Sequence, residues 1–355
     1  MKLFGRKEKA TGEILAGGEN AIANKEVEGL SQGQIVRRRF FRHRAAVIAL
    51  VTLSSIILFV LTSLDSKIGP IRIPGWWKWT VEDIPELRFE DCPGGTTGCP
   101  TLSLNPTGDF GMGNHPFGQD DIGRDYFALV MNGARRSLMI MFVIGAVSGF
   151  IGVVVGSISG FYGKKVDSVL MRLVDFLQTV PTIIIAAVIG KAAGRVGPLF
   201  LALFLGLLGW TGLARLVRAQ FLSLREMEFV DAARVAGASN IRIAFKHILP
   251  NAIGQIIVSI TLIMAGAILT ETALSYLGFG VVPPDVSLGL LISQYESSFT
   301  TRPWLFWWPG FFIIAIALCV NFIGDGLRDA FDPRQRRRIT KKDRLKAKLQ
   351  NKVGA

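Results

Sequence analysis

The sequence predicts an all-α integral membrane protein: six transmembrane helices, a long extracytoplasmic loop after the first span and a polar helical loop on the cytoplasmic side. Three observations predict it. Of the 355 residues 50% are hydrophobic and the mean hydropathy is +0.41, too apolar for a soluble domain carrying this much charge. The apolar residues lie in long runs near the roughly 20 residues that cross a hydrocarbon core of about 30 Å. The formal charge of +13 gathers at the two tails and beside the apolar runs. That placement follows the positive-inside rule and argues against a nucleic-acid surface.

Residues 1–44 form a basic amino-terminal tail. Met1 to Val36 is polar, mixed in charge and aperiodic, and reads as a disordered tail with at most a short helix. Arg37-Arg-Arg-Phe-Phe-Arg-His-Arg44 is a basic collar suited to cytoplasmic headgroups. Ala45 to Ser63 is the first span. It begins far from Met1 and no small-x-small site follows it, which disfavours a signal peptide. Residues 64–137 are hydrophilic and carry Trp76, Trp77 and Trp79, fit for a membrane interface or a small packed lobe. Cys92 and Cys99 sit among Pro and Gly. Outside the cytoplasm they can close a small disulfide loop; otherwise they are two unrelated thiols. The three cysteines and three histidines show no zinc-type spacing. Asp120 or Asp121 can cap a helix entering the second span.

Residues 138–326 hold five further spans. Met139 to Phe161 carries Gly145, Gly149, Gly152, Gly156 and Gly160, small residues that let helix backbones approach closely, so this span is expected to be buried against others. Val166 to Ile189 contains Arg172, Asp175, Gln178 and Pro181. Arg172 and Asp175, three apart, can pair. A charge at mid-bilayer costs about 2.5–3.5 kcal/mol, so these residues should face protein or water. Leu199 to Leu213 is a short fourth span ending near Trp210 and Arg215. Ala252 to Leu274 is the fifth, with Glu271 near its outer end beside Thr270 and Thr272 and expected to be wetted. Leu274 to Gly289 is rich in Gly and Pro and reads as a re-entrant or surface hairpin. Trp304, Trp307 and Trp308 form an aromatic belt before the sixth span, Leu305 to Ile323; residues 327–355 are a basic tail.

Between the fourth and fifth spans lies the polar loop, Glu228 to Asn251. Phe229, Ala232, Ala233 and Ala236 share one face of a short helix. Gly237 permits a turn. Ser239 or Asn240 can cap a second helix with Ile241, Phe245, Ile248 and Leu249 on its apolar side, and Pro250 is expected to end it. Arg234, Arg242, Lys246 and His247 should face outward. On these residues alone the loop could also be an amphipathic helix lying on lipid.

The chain here resembles a known family. Asp231-Ala-Ala233, Gly237 and Ile248-Leu-Pro250 are similar to the "EAA" loop of bacterial ABC import permeases, with Asp where the name-giving Glu usually stands. His115-Pro-Phe-Gly-Gln-Asp-Asp-Ile-Gly-Arg-Asp125 and Gly133-Ala-Arg-Arg-Ser-Leu138 resemble the signature of C-type dipeptide/oligopeptide permeases, with Gln119 for the usual Thr. The Arg172, Asp175 and Pro181 pattern, Leu274 to Gly289 and Asn321 to Pro333 are similar to further family segments, with Val286 and Leu288 departing from the usual Pro and Trp.

The resemblance implies half of the membrane pathway of an ABC importer for short peptides or peptide-like solutes, in the bacterial cytoplasmic (inner) membrane with both termini cytoplasmic. Its implied partners are a second permease subunit in a heterodimer, two ATP-binding subunits and an extracytoplasmic solute-binding protein, in contact with membrane lipid and not with nucleic acid. Glu228, Asp231, Ala232, Ala233, Gly237, Arg242, Phe245, Lys246, His247, Ile248, Leu249 and Pro250 are then the coupling residues. The chain is expected to be a transport subunit with no catalytic residue, metal or cofactor of its own; ATP and Mg belong to partners. An ion-coupled secondary transporter using Arg172, Asp175 and Glu271, and a non-transporting scaffold, are the alternatives.

Gly163-Lys-Lys165 is not a phosphate loop, which would need Gly at Ile158 and Ser or Thr at Lys165. The isolated chain is therefore expected to show no saturable ATP binding; equilibrium binding to the purified subunit, free of partners, checks this.

Overall fold

The computed structural model describes residues 32–331 apart from 69–70, 89–91, 93–95, 103–110 and 112. The expected disordered tail before residue 32, the basic tail Arg334 to Lys352 and Pro333 lie outside the described residues. The chain divides into a large unit, Ala45–Arg328, and a second made of Met1–Arg44 with Asp329–Ala355. In the second, α1 (Gln32–Phe40) ends on Arg37, Arg38 and Arg39 of the basic collar, and His43 Nε2 lies 3.4 Å from Asp329 Oδ2.

The helices follow the apolar runs because a backbone with no water to bond must satisfy its own N–H and C=O groups. They are α2 (Arg44–Ser63), α3 (Tyr126–Tyr162), α4 (Lys164–Thr179), α5 (Thr182–Val196), α6 (Pro198–Gly209), α7 (Thr211–Leu224), α8 (Glu228–Val235), α9 (Asn240–Arg242), α10 (Leu249–Tyr276), α11 (Leu288–Tyr295) and α12 (Trp304–Phe331). A π-helical stretch, Ile243–Ile248, joins α9 to α10. A short two-stranded antiparallel hairpin, β1 (Ser66–Ile68) with β2 (Ile71–Ile73), accompanies the helices.

Among the described residues, α2, α3, Asn240–Tyr276 and α12 are each long and apolar enough to cross a membrane. Two bent pairs raise the number to six if each is one span: α4 with the first part of α5, bent by 73°, and α6 with α7, bent by 42°. The expected third span, Val166 to Ile189, is therefore bent within its length. Pro181 has no N–H to donate and holds Val180 extended, at φ −91° and ψ 127°. The expected fourth span, Leu199 to about Leu213, is bent at Trp210, between α6 and α7. The second span begins earlier than Met139, at Tyr126.

At the centre α3 packs against α6, α7 and α10. Its small residues set the spacing. A Cβ at Gly145 or Gly149 would meet Met264 or Ile260 of α10. At Gly152 it would meet Leu213 of α7, and at Gly156 it would come within 2.5 Å of the Ala214 carbonyl. Ser148 Oγ donates to Gly206 O at 2.8 Å, tying α3 to α6.

Filling this contact should be costly. Gly156→Leu forces backbone apart, a class of change that costs about 1–3 kcal/mol, and is expected to lower the thermal midpoint of the purified subunit by several degrees. Gly212→Ala, where a Cβ meets open space, should leave the midpoint unchanged or raise it. Equal midpoints for the two variants would contradict the packing described.

Candidate functional site

The polar loop forms a bracket bolted to α7 and α10. Arg225, just after α7, donates from Nη1 to Gly160 O and Phe161 O at 3.3 and 3.4 Å, capping the last turn of α3. Glu228 and Asp231 lie in the first turn of α8 and Arg234 in the last, the order the helix dipole favours. Arg234 Nη1 lies 3.1 Å from Asp231 Oδ1. The helix ends in a Schellman arrangement: Ala238 N–H donates to Ala233 O at 3.0 Å and Gly237 N–H to Arg234 O at 2.9 Å. Gly237 sits at φ +78°, a conformation that costs a residue with a Cβ roughly 1–2 kcal/mol. Ser239 rather than Asn240 is the next cap, its Oγ accepting from Arg242 N at 3.4 Å.

Pro250 does not end the second helix, contrary to the sequence expectation. Asn240–Tyr276 is continuous. In the π stretch Leu249 N–H donates to Ala244 O, five residues back. This shifted register lets the ring, which has no N–H, enter the first turn of α10. Asn251 Nδ2 donates to His247 O at 2.7 Å and occupies a carbonyl there.

The bracket also turns a different side inward. Val230 and Ala233 of α8, with Ile243 and Ile248, are buried against Leu213, Val217 and Phe221 of α7 and Ala252 and Ile256 of α10. Of the expected faces only Ala233 and Ile248 are buried; Leu249 is half-buried. Ala232, Ala236 and Phe229 are exposed, as are Ile241 (68%) and Phe245 (61%), together with Met227 and Val235 (91%). Glu228, Asp231, Arg234, Arg242 and Lys246 are exposed among them, while His247 is half-buried. Sequence periodicity found the helices and missed which side meets the neighbour.

The intramembrane polar residues are not brought together. Arg172 and Gln178 are exposed on α4. Asp175 pairs with Arg215 of α7, against which α4 packs, and not with Arg172. Asp167 accepts from Arg218 Nη2 at 2.6 Å and from Ser159 Oγ, a second tie between α4 and α7 that the sequence did not announce. Glu271 is not wetted: it is fully buried and bonded to Ser137 and Ser275. An open apolar cavity of about 540 Å³ lies between α5 and the segment after α10, with Lys191 at its rim beside Ile184, Val188 and Phe279.

A packed lobe precedes α3. Cys92 and Cys99 are joined as a disulfide, with Cα atoms 5.5 Å apart. Neither Asp120 nor Asp121 caps α3. Asp125 does, accepting from Ala128 N at 2.9 Å and from Trp77 Nε1 at 2.8 Å through one oxygen, with His115 Nδ1 2.8 Å from the other. Asp120 instead binds Arg124 Nε at 2.6 Å and the Tyr295 hydroxyl at 3.0 Å. Burial, and then the negative charge of Asp120, push the Tyr295 hydroxyl well up, so it stays a donor. Asp121 pairs with Arg302 at 2.6 Å. Phe117 stacks on Trp308 of α12, with ring centroids 3.9 Å apart.

A polytopic helical membrane protein with a polar helix–turn–helix bracket and a folded lobe before its longest helix is the class these features define. Residues 152–337 match the family described as binding-protein-dependent transport system inner membrane component, and residues 31–65 match the N-terminal transmembrane domain of oligopeptide transport permease C. The chain belongs to this family of inner membrane transport components. It is 38% identical to the oligopeptide transport system permease protein OppC of Escherichia coli K12 over 90% of this chain and 96% of that one. It is 37% identical to the OppC protein of Mycobacterium tuberculosis H37Rv over 87% of this chain and 97% of that one. A solved structure of the MetNI methionine ABC transporter in an inward-facing conformation aligns over 57% of this chain and 96% of that chain, at 20% identity and a TM-score of 0.47.

Asp125→Ala removes the cap and strips three donors of their acceptor. The cap alone is worth about 1 kcal/mol and each buried donor left unpaired about 1–3 kcal/mol. The variant is expected to melt well below wild type, and further below it than Asp121→Ala; thermal denaturation of the purified subunit measures both.

Proposed function

We propose that this chain forms half of the translocation pathway of an ATP-driven importer of short peptides or peptide-like solutes. The bracket is its docking element for the ATP-binding subunits. One observation carries the reading. The bracket is fixed from behind by a buried apolar face on α7 and α10, while Ile241, Phe245, Phe229 and Val235 stand exposed among charges. An exposed apolar patch with a polar border fits a protein partner. A helix lying on lipid would keep its apolar face in the bilayer and its charges away from it; here large apolar and charged residues share the outward side.

The same reading gives the other surfaces a use. Val169, Leu173, Phe176, Ile183 and Val188 stand exposed along α4 and α5, a face suited to a second permease subunit. The lobe before α3 is suited to an extracytoplasmic solute-binding protein. ATP and Mg would be held by the ATP-binding subunits, whose closure would move the bracket and, through α7 and α10, the pathway helices. The proximity of His43 to Asp329 favours both ends of the bundle on one side, and the basic collar favours the cytoplasm. An ion-coupled carrier would need Arg172, Asp175 and Glu271 to act together; Asp175 is tied to Arg215 and Glu271 to serines, and that reading leaves the bracket unused.

The test is uptake and solute-stimulated ATPase in the reconstituted complex. Gly237→Val puts a β-branched residue at φ +78°, and Phe245→Glu puts a charge on the exposed patch. Both are expected to express and assemble poorly with the ATP-binding subunits, losing roughly tenfold or more of stimulated activity, equivalent to about 1.4 kcal/mol. Lys164→Ala, in the other cytoplasmic turn, should retain activity. Near-wild-type activity in both bracket variants would remove the bracket from the coupling path.

A further inference from the structure

Hydroxyls from two helices converge on one buried carboxylate. Ser137 Oγ of α3 donates to Glu271 Oε2 at 3.0 Å, and Ser275 Oγ, one turn along α10, donates to Oε1 at 2.8 Å. Ser287 caps α11, which follows directly. Each hydroxyl also accepts a backbone N–H from residues 281–290: Leu288 to Ser137 at 3.3 Å, Val281 to Ser275 at 3.0 Å and Leu290 to Ser287 at 3.2 Å.

The proton count decides what sits at the centre. A hydroxyl has one proton to give, and Ser137 and Ser275 give theirs to Glu271. Both carboxyl oxygens of Glu271 therefore serve as acceptors. Among the described residues it has no ion pair, so the serines are what compensate its burial.

The placement has a mechanical consequence. Residues 281–290 join α10 to α11 and carry Asp285, which pairs with Arg136 of α3 at 2.7 Å. The far end of α11 is Tyr295, bonded to Asp120 of the lobe. There is no slack in the fit: a Cβ at Gly280 would lie 2.5 Å from Ser275 N, and one at Gly289 would lie 2.6 Å from Thr272 Cα.

We propose that Glu271, through Ser137 and Ser275, is the positioning residue that sets residues 281–290 and the lobe behind them for docking of the extracytoplasmic solute-binding protein. The proposal rests on the importer reading given above.

Glu271→Gln keeps size and replaces one acceptor oxygen by a donor. In proteoliposomes holding the whole complex, loaded binding protein is titrated against stimulated ATPase. The half-saturating concentration is expected to rise roughly tenfold with the maximal rate within about twofold of wild type. Glu271→Asp, still an acceptor, should recover part of the affinity. A fall in maximal rate at unchanged half-saturation would mean a merely structural role and would overturn the proposal. A second arm is independent of ATP: Val282→Cys should react several-fold faster with a membrane-impermeant maleimide when combined with Glu271→Gln. Ser137→Ala, which removes one donor without adding a buried polar group, should shift both readouts in the same direction and decides the matter if Glu271→Gln fails to assemble. Unchanged labelling in both variants overturns the hub. A wild-type complex whose ATPase ignores the binding protein defeats the importer reading instead, and the labelling arm still reads the hub.

Discussion

The close approach of α7 and α10 to the glycine row of α3 is the contact on which the rest of the structure depends. Lipid tails are as apolar as the side chains they would replace, so no hydrophobic force gathers helices within a bilayer. What remains is packing and a few polar bonds. Gly152 and Gly156 admit α7 to backbone contact, and Gly145 and Gly149 admit α10. Both ends of the molecule inherit their geometry from these two crossings.

At one end the bracket joins the two helices that α3 holds. Its buried residues reach both α7 and α10, and Arg225 binds the last carbonyls of α3 itself. A displacement of the bracket therefore has a short route to the helices that pack at the centre. At the other end α3 begins in the lobe, where Asp125 caps it and His115 and Trp77 hold that cap. The helix, 37 residues long, is anchored at its start by the lobe and at its finish by Arg225.

Polar side chains within this fold appear where two helices need a fixed angle. Asp167 and Asp175 bind α4 to Arg218 and Arg215 of α7, against an otherwise sparse apolar contact in which Val174 is the buried residue of α4. Ser148 fixes α6 on α3. Glu271 gathers α3 and α10 and, through Ser137, the start of α11. An unsatisfied polar group costs most where water is scarce, so each such bond selects one arrangement among packings that apolar contact alone would leave nearly equal.

The sequence by itself determined that the chain is helical and crosses a membrane, because an apolar run of about 20 residues has no other way to satisfy its backbone there. It also determined the glycine row, the turn at Gly237 and the family motifs in their order, since these are local in sequence. Tertiary structure decided the rest. Asp175 meets Arg215, 40 residues away, and Ser137 meets Glu271, 134 residues away. No periodicity encodes such partners. Period alone also leaves phase open: α8 and the π stretch were legible as helix, but Val230 and Ile243 face the core while Phe229, Ile241 and Phe245 do not. Pro181 and Pro250 make the same point from the backbone. Each lacks one donor, yet the first breaks a helix by 73° and the second is absorbed by a shifted hydrogen-bond register. The missing N–H is a property of the residue; whether the neighbouring turns and helices can accommodate its loss is a property of the packed fold.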